Sequence, residues 1–421
     1  MNNGQKMLEA LQNNQLDEAN DFFKRALATD SDEQLYHLAD DLYHLGFLEE
    51  TQMIYKQLLA LYPEDDELKI GLAEIAIEAN EIDSAMDWLL DIPEESETFP
   101  QALLVLADLY QVQGLYEVSE QKLLKAKDIL PDEPVIQFAL AELHFSMGKY
   151  AQAIRAYEEL MIQGYDEFTG VNLANRCGSA YSALGDLDQA VEYLEQSVEE
   201  NETVNGLFEL GITYMQQKEF KRANEVFFKL KDLDPSYTSV YPNLAQSLEE
   251  ENQLEKAAEV IQEGLRMDQY NYELFAIGAE VALRLEQEET AEDYYLEAIA
   301  LAPENESLQL AYSNLLLKQE RIEETVNLID QALQNGQSDP QFYWNLAVAN
   351  EKLEEYDKAE QAFEQAYPAF RQNKDFLKSY IYFLREAGNR TTIKQAVTDY
   401  LLIEPSDEEI LGILEEINTN Y

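Results

Sequence analysis

The chain has 421 residues, enough for two or three ordinary domains, and 46% of them are hydrophobic, so a large core is affordable. Its 84 acidic residues outnumber 29 basic ones, and the net charge of −55 repels nucleic acid and anionic lipid, both of which need basic surface to bind. With 16 Gly, 11 Pro and no low-complexity tract, the composition argues against disorder and against a turn-rich all-β fold.

Taken from the N-terminus, the first twenty residues hold no apolar stretch of signal-peptide length, and no apolar run anywhere is long enough to span a membrane. The single Cys177 excludes an intramolecular disulfide and fits a reducing compartment, so the expectation is a soluble cytoplasmic protein. One pattern then repeats to the C-terminus. Its clearest copy is Leu140-Ala141, His144, Gly148-Lys149-Tyr150, Ala153 and Tyr157. Apolar and small residues there fall at helical spacing on both sides of a glycine turn, which predicts two helices packed back on each other. The small residue of the second helix recurs at Ala19, Thr51, Ala85, Ser119, Ala153, Ala190, Ala223, Ala257, Ala291, Thr325, Ala359 and finally Ile393. The steps are 32, then 34 three times, 37, 33, and 34 five times. Four residues on, at Phe23, Tyr55, Leu89, Leu123, Tyr157, Leu194, Phe227, Ile261, Tyr295, Ile329, Phe363 and Val397, every residue is apolar or aromatic. A small residue lets two helices approach, and the bulky one beside it fills the groove between them. No pair can bury its faces alone, so the pairs are expected to stack into one continuous core.

Departures from the pattern carry their own expectations. The first helix of repeat one is short and polar, as suits an end that faces water. Pro93 and Pro100 flank an acidic stretch and clip the second helix of repeat three. The 37-residue step places three extra residues within Gly164–Gly170, a tolerated loop or a bend between residues 1–167 (about five repeats) and 168–421 (about seven repeats). After Pro405, Asp407 to Ile417 reads as a capping helix with an acid-rich N-terminus.

A 34-residue helix–turn–helix period with these anchors resembles the tetratricopeptide repeat. The seventh repeat carries Leu207, Leu210-Gly211, Tyr214, Ala223, Phe227 and Pro235, and the fourth Leu103, Leu106-Ala107, Tyr110, Leu123, Ala126 and Pro131. Pro63, Pro303 and Pro405 close other units at the same place. In length, acidity and lack of an appended domain the chain also resembles the YpiA-type repeat proteins of low-GC Gram-positive bacteria. The resemblance implies an all-α, right-handed α-solenoid of about twelve repeats with a C-terminal capping helix. It also implies a cytoplasmic adaptor whose groove, lined by the first helix of each repeat, binds a partner protein.

The residues that this pattern leaves free are candidates for that binding. One groove position reads Asp40, Glu74, Asp108 and Glu142, each 34 residues from the last. Tyr36, Tyr43, Phe138 and Phe145 flank it, with Ile70, Ile77 and Leu104 between them. Carboxylates interleaved with aromatic surface suit a basic, amphipathic segment, steered by charge and anchored by its apolar side chains. Arg284, Lys318 and Lys352 form a second ladder near helix C-termini, where the macrodipole alone favours cations. Together with Asn314 and Asn345 they resemble, in part, the clamp by which some family members hold a peptide carboxylate.

No catalytic motif accompanies these positions: there is no glycine-rich phosphate loop, serine elbow, cysteine pair or His-Glu-x-x-His. His37, Asp41 and His44 share a helix face, a spacing compatible with a metal but more usual for solvated side chains. His144 and Cys177 occupy core slots. The expectation is a non-catalytic scaffold without cofactor or metal that binds other proteins. The competing readings are a repeat-based regulator, such as a peptide-responsive receptor, and a phosphatase-like protein. Receptors of the first kind carry an additional helical bundle or DNA-binding helices, whereas repeats here begin within the first twenty residues.

Overall fold

The computed structural model describes residues 1–419, which form twenty-five α-helices and one two-stranded hairpin. The first five pairs are α1 (Asn3–Gln12) with α2 (Leu16–Thr29), α3 (Asp32–His44) with α4 (Leu48–Leu61), α5 (Asp66–Glu78) with α6 (Ile82–Leu90), α7 (Phe99–Val112) with α8 (Tyr116–Ile129), and α9 (Pro134–Ser146) with α10 (Tyr150–Ile162). The hairpin β1 (Glu167–Phe168) and β2 (Val171–Asn172) follows, then α11 (Leu173–Leu184) with α12 (Leu187–Glu200) and α13 (Val204–Gln216) with α14 (Phe220–Leu233). The remaining pairs are α15 (Val240–Glu250) with α16 (Leu254–Met267), α17 (Tyr272–Arg284) with α18 (Glu288–Leu301), α19 (Glu306–Lys318) with α20 (Ile322–Gln334), α21 (Pro340–Lys352) with α22 (Tyr356–Phe370), and α23 (Lys374–Ala387) with α24 (Arg390–Ile403). Helix α25 (Glu408–Thr419) stands last, where a capping helix is predicted.

The stack divides into two compact units, Met1–Glu209 and Leu210–Tyr421, each an α-solenoid. In the first unit one hydrophobic cluster runs unbroken from Ile70 on α5 to Leu143 on α9. All twelve register residues are buried, and so are eleven of the twelve bulky partners one turn on. Tyr55 is the exception: it is half-buried, with its ring against Gly71, where a Cβ would stand 2.6 Å from Tyr55 Cε2.

Local chemistry sets the helix ends. Side chains of Asn2, Ser31, Asp65, Asn172, Asn271, Asn305 and Asn373 accept hydrogen bonds from the first-turn amides of the helices they open. Pro63, Pro131, Pro235, Pro303 and Pro405 each stand two residues beyond a helix end, where the chain must leave the helix. The turn within each pair needs one left-handed residue. Repeat five supplies Gly148, with φ of 71°, whereas three consecutive later repeats use Glu286, Glu320 and Glu354, with φ of 59°, 58° and 62°. As predicted, α1 is short and α6 is clipped to nine residues before Pro93.

Several neighbouring first helices also pack on one another: α1 on α3, α5 on α7 and α7 on α9 in the first unit, and α15 on α17 and α19 on α21 in the second. Among the described residues no two successive second helices pack as closely, so within each unit the first helices lie on the inner side of the curve. That curvature places one face of α3, α5, α7 and α9 along a common groove.

Candidate functional site

The groove face of the first unit carries the predicted carboxylate ladder on four successive first helices. Asp40 on α3 is exposed, with the His44 ring nitrogen 3.6 Å away. Glu74 on α5 is half-buried, and its carboxyl is raised above the ordinary glutamate value, first by burial and then by the charges of Glu78 and Asp108. Asp108 on α7 keeps solvent contact, yet crowding by the flanking helices raises its carboxyl as well. Gln111 donates to it at 3.2 Å. Among the described residues no Lys or Arg pairs with Asp40, Glu74, Glu78 or Asp108. Glu74 is therefore repelled by Glu78 and Asp108 in the free protein.

Tyrosines line the same stretch. The Tyr36 hydroxyl donates to Glu67 at 2.9 Å and that of Tyr43 to Glu78 at 3.2 Å, so α3 is tied to α5 without consuming a base. The Tyr43 hydroxyl is pushed up to about 12 by burial and by Glu74 and Glu78. Tyr55 belongs here too: burial and the charges of Asp40 and Glu74 raise its hydroxyl, which places it between the first two rungs. Periodicity assigned Tyr55 to the core, yet it is half-buried, unlike Tyr157 and Tyr295 in the same slot. Glu78, one turn beyond Glu74, likewise escaped a reading that followed a single position per repeat.

The fourth rung departs from expectation. Glu142 is engaged by its own chain, accepting from Tyr157 Oη at 2.5 Å and from Arg176 Nη2 at 2.9 Å. Phe138 is not open groove surface: it is 9% exposed and stacks on Phe168, ring centroids 5.0 Å apart. Phe145 is half-buried, packed against Tyr150 with the Arg176 guanidinium 5.3 Å from its ring. The residues that cover this rung come from the 37-residue step. Glu167 pairs with Asn172 and Phe168 with Val171, around a two-residue turn in which Thr169 and Gly170 are both left-handed. A hairpin therefore stands where the spacing alone implies a loop.

The basic ladder of the second unit is a set of ties between repeats. Arg284 at the end of α17 donates to the Glu249 carbonyl at 3.0 Å, to its carboxylate at 3.2 Å and to Asn252 Oδ1 at 2.8 Å. Lys318 pairs with Glu288 at 2.7 Å, and Lys352 lies 4.0 Å from Glu320. Asn345 is 5% exposed and donates to Ser313 Oγ and to Asn314 Oδ1, both at 2.8 Å, so it has no face left for a ligand. The exposed Asn314 is held by that bond. In place of a clamp for a carboxylate, these side chains bind one repeat to the next.

Cys177 is buried, and burial pushes its thiol up to about 12. His144 is largely buried, with a ring nitrogen 3.0 Å from Glu120. Among the described residues no three His, Cys, Asp or Glu side chains converge as metal ligands would, and no helix is long and apolar enough to cross a membrane.

The same repeats are found in known proteins. A family model described as YpiA-like tetratricopeptide repeats matches residues 111–165, and one for YpiA-like C-terminal repeats matches 340–407. General tetratricopeptide-repeat models match 42–109 and 172–203. The TPR repeat-containing protein YpiA of Bacillus subtilis strain 168 is 38% identical over 379 residues, spanning 90% of this chain and 89% of that protein. The TPR repeat-containing protein MJ1428 of Methanocaldococcus jannaschii is 22% identical over 233 residues, 50% of this chain and 40% of that one. Among solved structures, a chain of the APC/C hetero-tetramer Cut9-Hcn1 is 13% identical, with 98% of this chain and 95% of that chain covered and a TM-score of 0.42. With identity at this level along almost the whole of YpiA, the chain belongs to the YpiA-like family of tetratricopeptide-repeat proteins.

Proposed function

We propose that this protein is a non-catalytic adaptor that captures a basic, amphipathic segment of a partner protein along the groove of its first unit. Tetratricopeptide-repeat proteins serve generally as protein–protein interaction scaffolds. The observation that carries the finer reading is the run of Asp40, Glu74 and Asp108, carboxylates with no Lys or Arg partner among the described residues, one of them raised by a neighbouring rung as well as by burial. Groups held apart from their counter-charges gain most when a cation arrives. Tyr36, Tyr43 and Tyr55 beside them offer rings against which apolar side chains of the segment pack. The reading needs no cofactor, and it places the protein in the cytoplasm, in keeping with a single, buried, free thiol.

Affinity isolation from the native cell with wild-type protein and with the Asp40→Asn, Glu74→Gln, Asp108→Asn variant tests it. The expected result is a directly bound protein that the wild type retains at low salt, loses at high salt, and that the folded variant does not retain. A variant that keeps every partner at every salt concentration refutes it.

A further inference from the structure

We infer that the hairpin insert and Arg176 form a built-in stop that closes this groove at the fifth repeat, so that it admits a partner segment spanning only the three rungs on α3, α5 and α7. The stop acquires this meaning only if the groove is the binding face proposed above. Phe138, Glu142 and Phe145 lie on one face of α9 at i, i+4 and i+7, the face that continues the ladder. All three are covered from downstream. Phe168 at the hairpin corner stacks on Phe138, and Tyr165 packs edge-on to Phe168 at 5.6 Å. Arg176 on α11 neutralises Glu142 and lies over Phe145. The rung thus offers an incoming segment a carboxylate already paired and, of its two rings, only the half-buried Phe145.

The cover has the chemistry proposed for the partner. It sets a ring on a ring and a guanidinium on a carboxylate, both supplied by residues within the 37-residue step. The hairpin is also firmly placed. Its turn holds two left-handed residues, Leu173 N donates to Asp166 O at 3.0 Å, and Val171 and Phe168 join the cluster around Tyr157 and Leu173. At the other end the ladder stops by composition, because one repeat before Asp40 stands Leu8.

Three open rungs set the register of the ligand. Packed helices lie about 8–10 Å apart, so the outer rungs are separated by about 16–20 Å. An extended chain advances about 3.3–3.6 Å per residue. The matching segment is therefore about seven residues long, with a Lys or Arg at every third position.

Fluorescence anisotropy with two labelled peptides, Lys-Ala-Ala repeated three times and five times, tests the stop on wild type, Phe168→Ala, Arg176→Gln and the double variant. The short peptide is expected to bind wild type, and the long one to bind it no more than about threefold better, the gain from the three registers that its five lysines allow. In Arg176→Gln and in the double variant the long peptide gains about fivefold over the short one, the worth of one further cation on Glu142, whereas Phe168→Ala, which keeps Arg176 on that carboxylate, gains less. Each single variant keeps half of the cover, so the test survives if the double variant does not fold. If the long peptide gains as much on wild type as on the variants, or gains on none of them, the stop is wrong while the groove reading stands. If neither peptide binds wild type, the groove reading itself falls, and the stop falls with it.

Discussion

The acidic groove carries a cost that can be measured. Among the described residues Glu74 accepts no side-chain hydrogen bond and forms no ion pair, and its carboxyl is raised by burial, Glu78 and Asp108. Its rung neighbours Asp40 and Asp108 lie one packed helix away on either side, at about 10 Å. Two unit charges at that distance, in a surface environment of effective dielectric about 40–80, repel by about 0.4–0.8 kcal/mol. With Glu78 on the same helix included, Glu74→Gln is expected to relieve about 1 kcal/mol at ~10 mM salt. The Debye length of about 3 Å at 1 M salt removes most of that. A repeat array need not melt in one step, so the readout is native-state hydrogen exchange of the amides of α5 and α7. The expected outcome is about fivefold slower exchange in the variant at low salt, shrinking toward no difference at high salt. Faster exchange, or a gain that salt leaves untouched, refutes the claim that these carboxylates are held in mutual repulsion.

Three further outcomes follow from the same structure. Gly178→Ala puts a Cβ 2.5 Å from Leu194 Cγ and 3.1 Å from the Ala190 carbonyl oxygen; the crowding should cost about 1–3 kcal/mol, read as faster exchange in α11 and α12. Glu286→Gly relieves a left-handed residue at φ of 59° and should stabilise the turn between α17 and α18 by up to about 1 kcal/mol, measured by urea unfolding. Asp407 is held down to about 2, chiefly by the Tyr400 hydroxyl at 2.7 Å and then by the Ile410 amide and Lys378. A depressed carboxyl stabilises fully above its unfolded value near 4 and loses that contribution as pH falls through the folded one. Exchange protection of α25 should therefore decline between about pH 4 and 2, and Asp407→Asn should flatten that decline.

The repeat architecture was legible because it rests on local geometry. A small residue such as Ala153, with Tyr157 one turn on, specifies close helix packing whatever stands elsewhere in the chain. The clipped α6 was legible for the same reason, since Pro93 acts on its own neighbours. The groove was legible only in part, because exposure depends on residues far along the chain. Phe138 and Glu142 read as open rungs until Phe168 and Arg176, some thirty residues on, are seen to cover them. Asn345 reads as a ligand contact, yet Ser313 and Asn314 on the preceding first helix take up its amide. Arg284 and Lys318 read as helix-terminal cations or as a clamp, and their partners Glu249 and Glu288 choose between the two. Periodicity states which face a residue shares; it does not state what the next repeat places upon that face.

The most direct test of the acidic groove is the affinity of a defined segment. A fluorescent seven-residue extended peptide with Lys at every third position and aromatic residues between them is titrated into wild type, into the Asp40→Asn, Glu74→Gln, Asp108→Asn variant, and into Arg284→Gln as a control from the second unit. The account predicts binding by wild type and by Arg284→Gln, loss of at least about tenfold in the triple variant, and weakening as salt rises. Equal affinity of wild type and triple variant, with all three proteins folded, contradicts it.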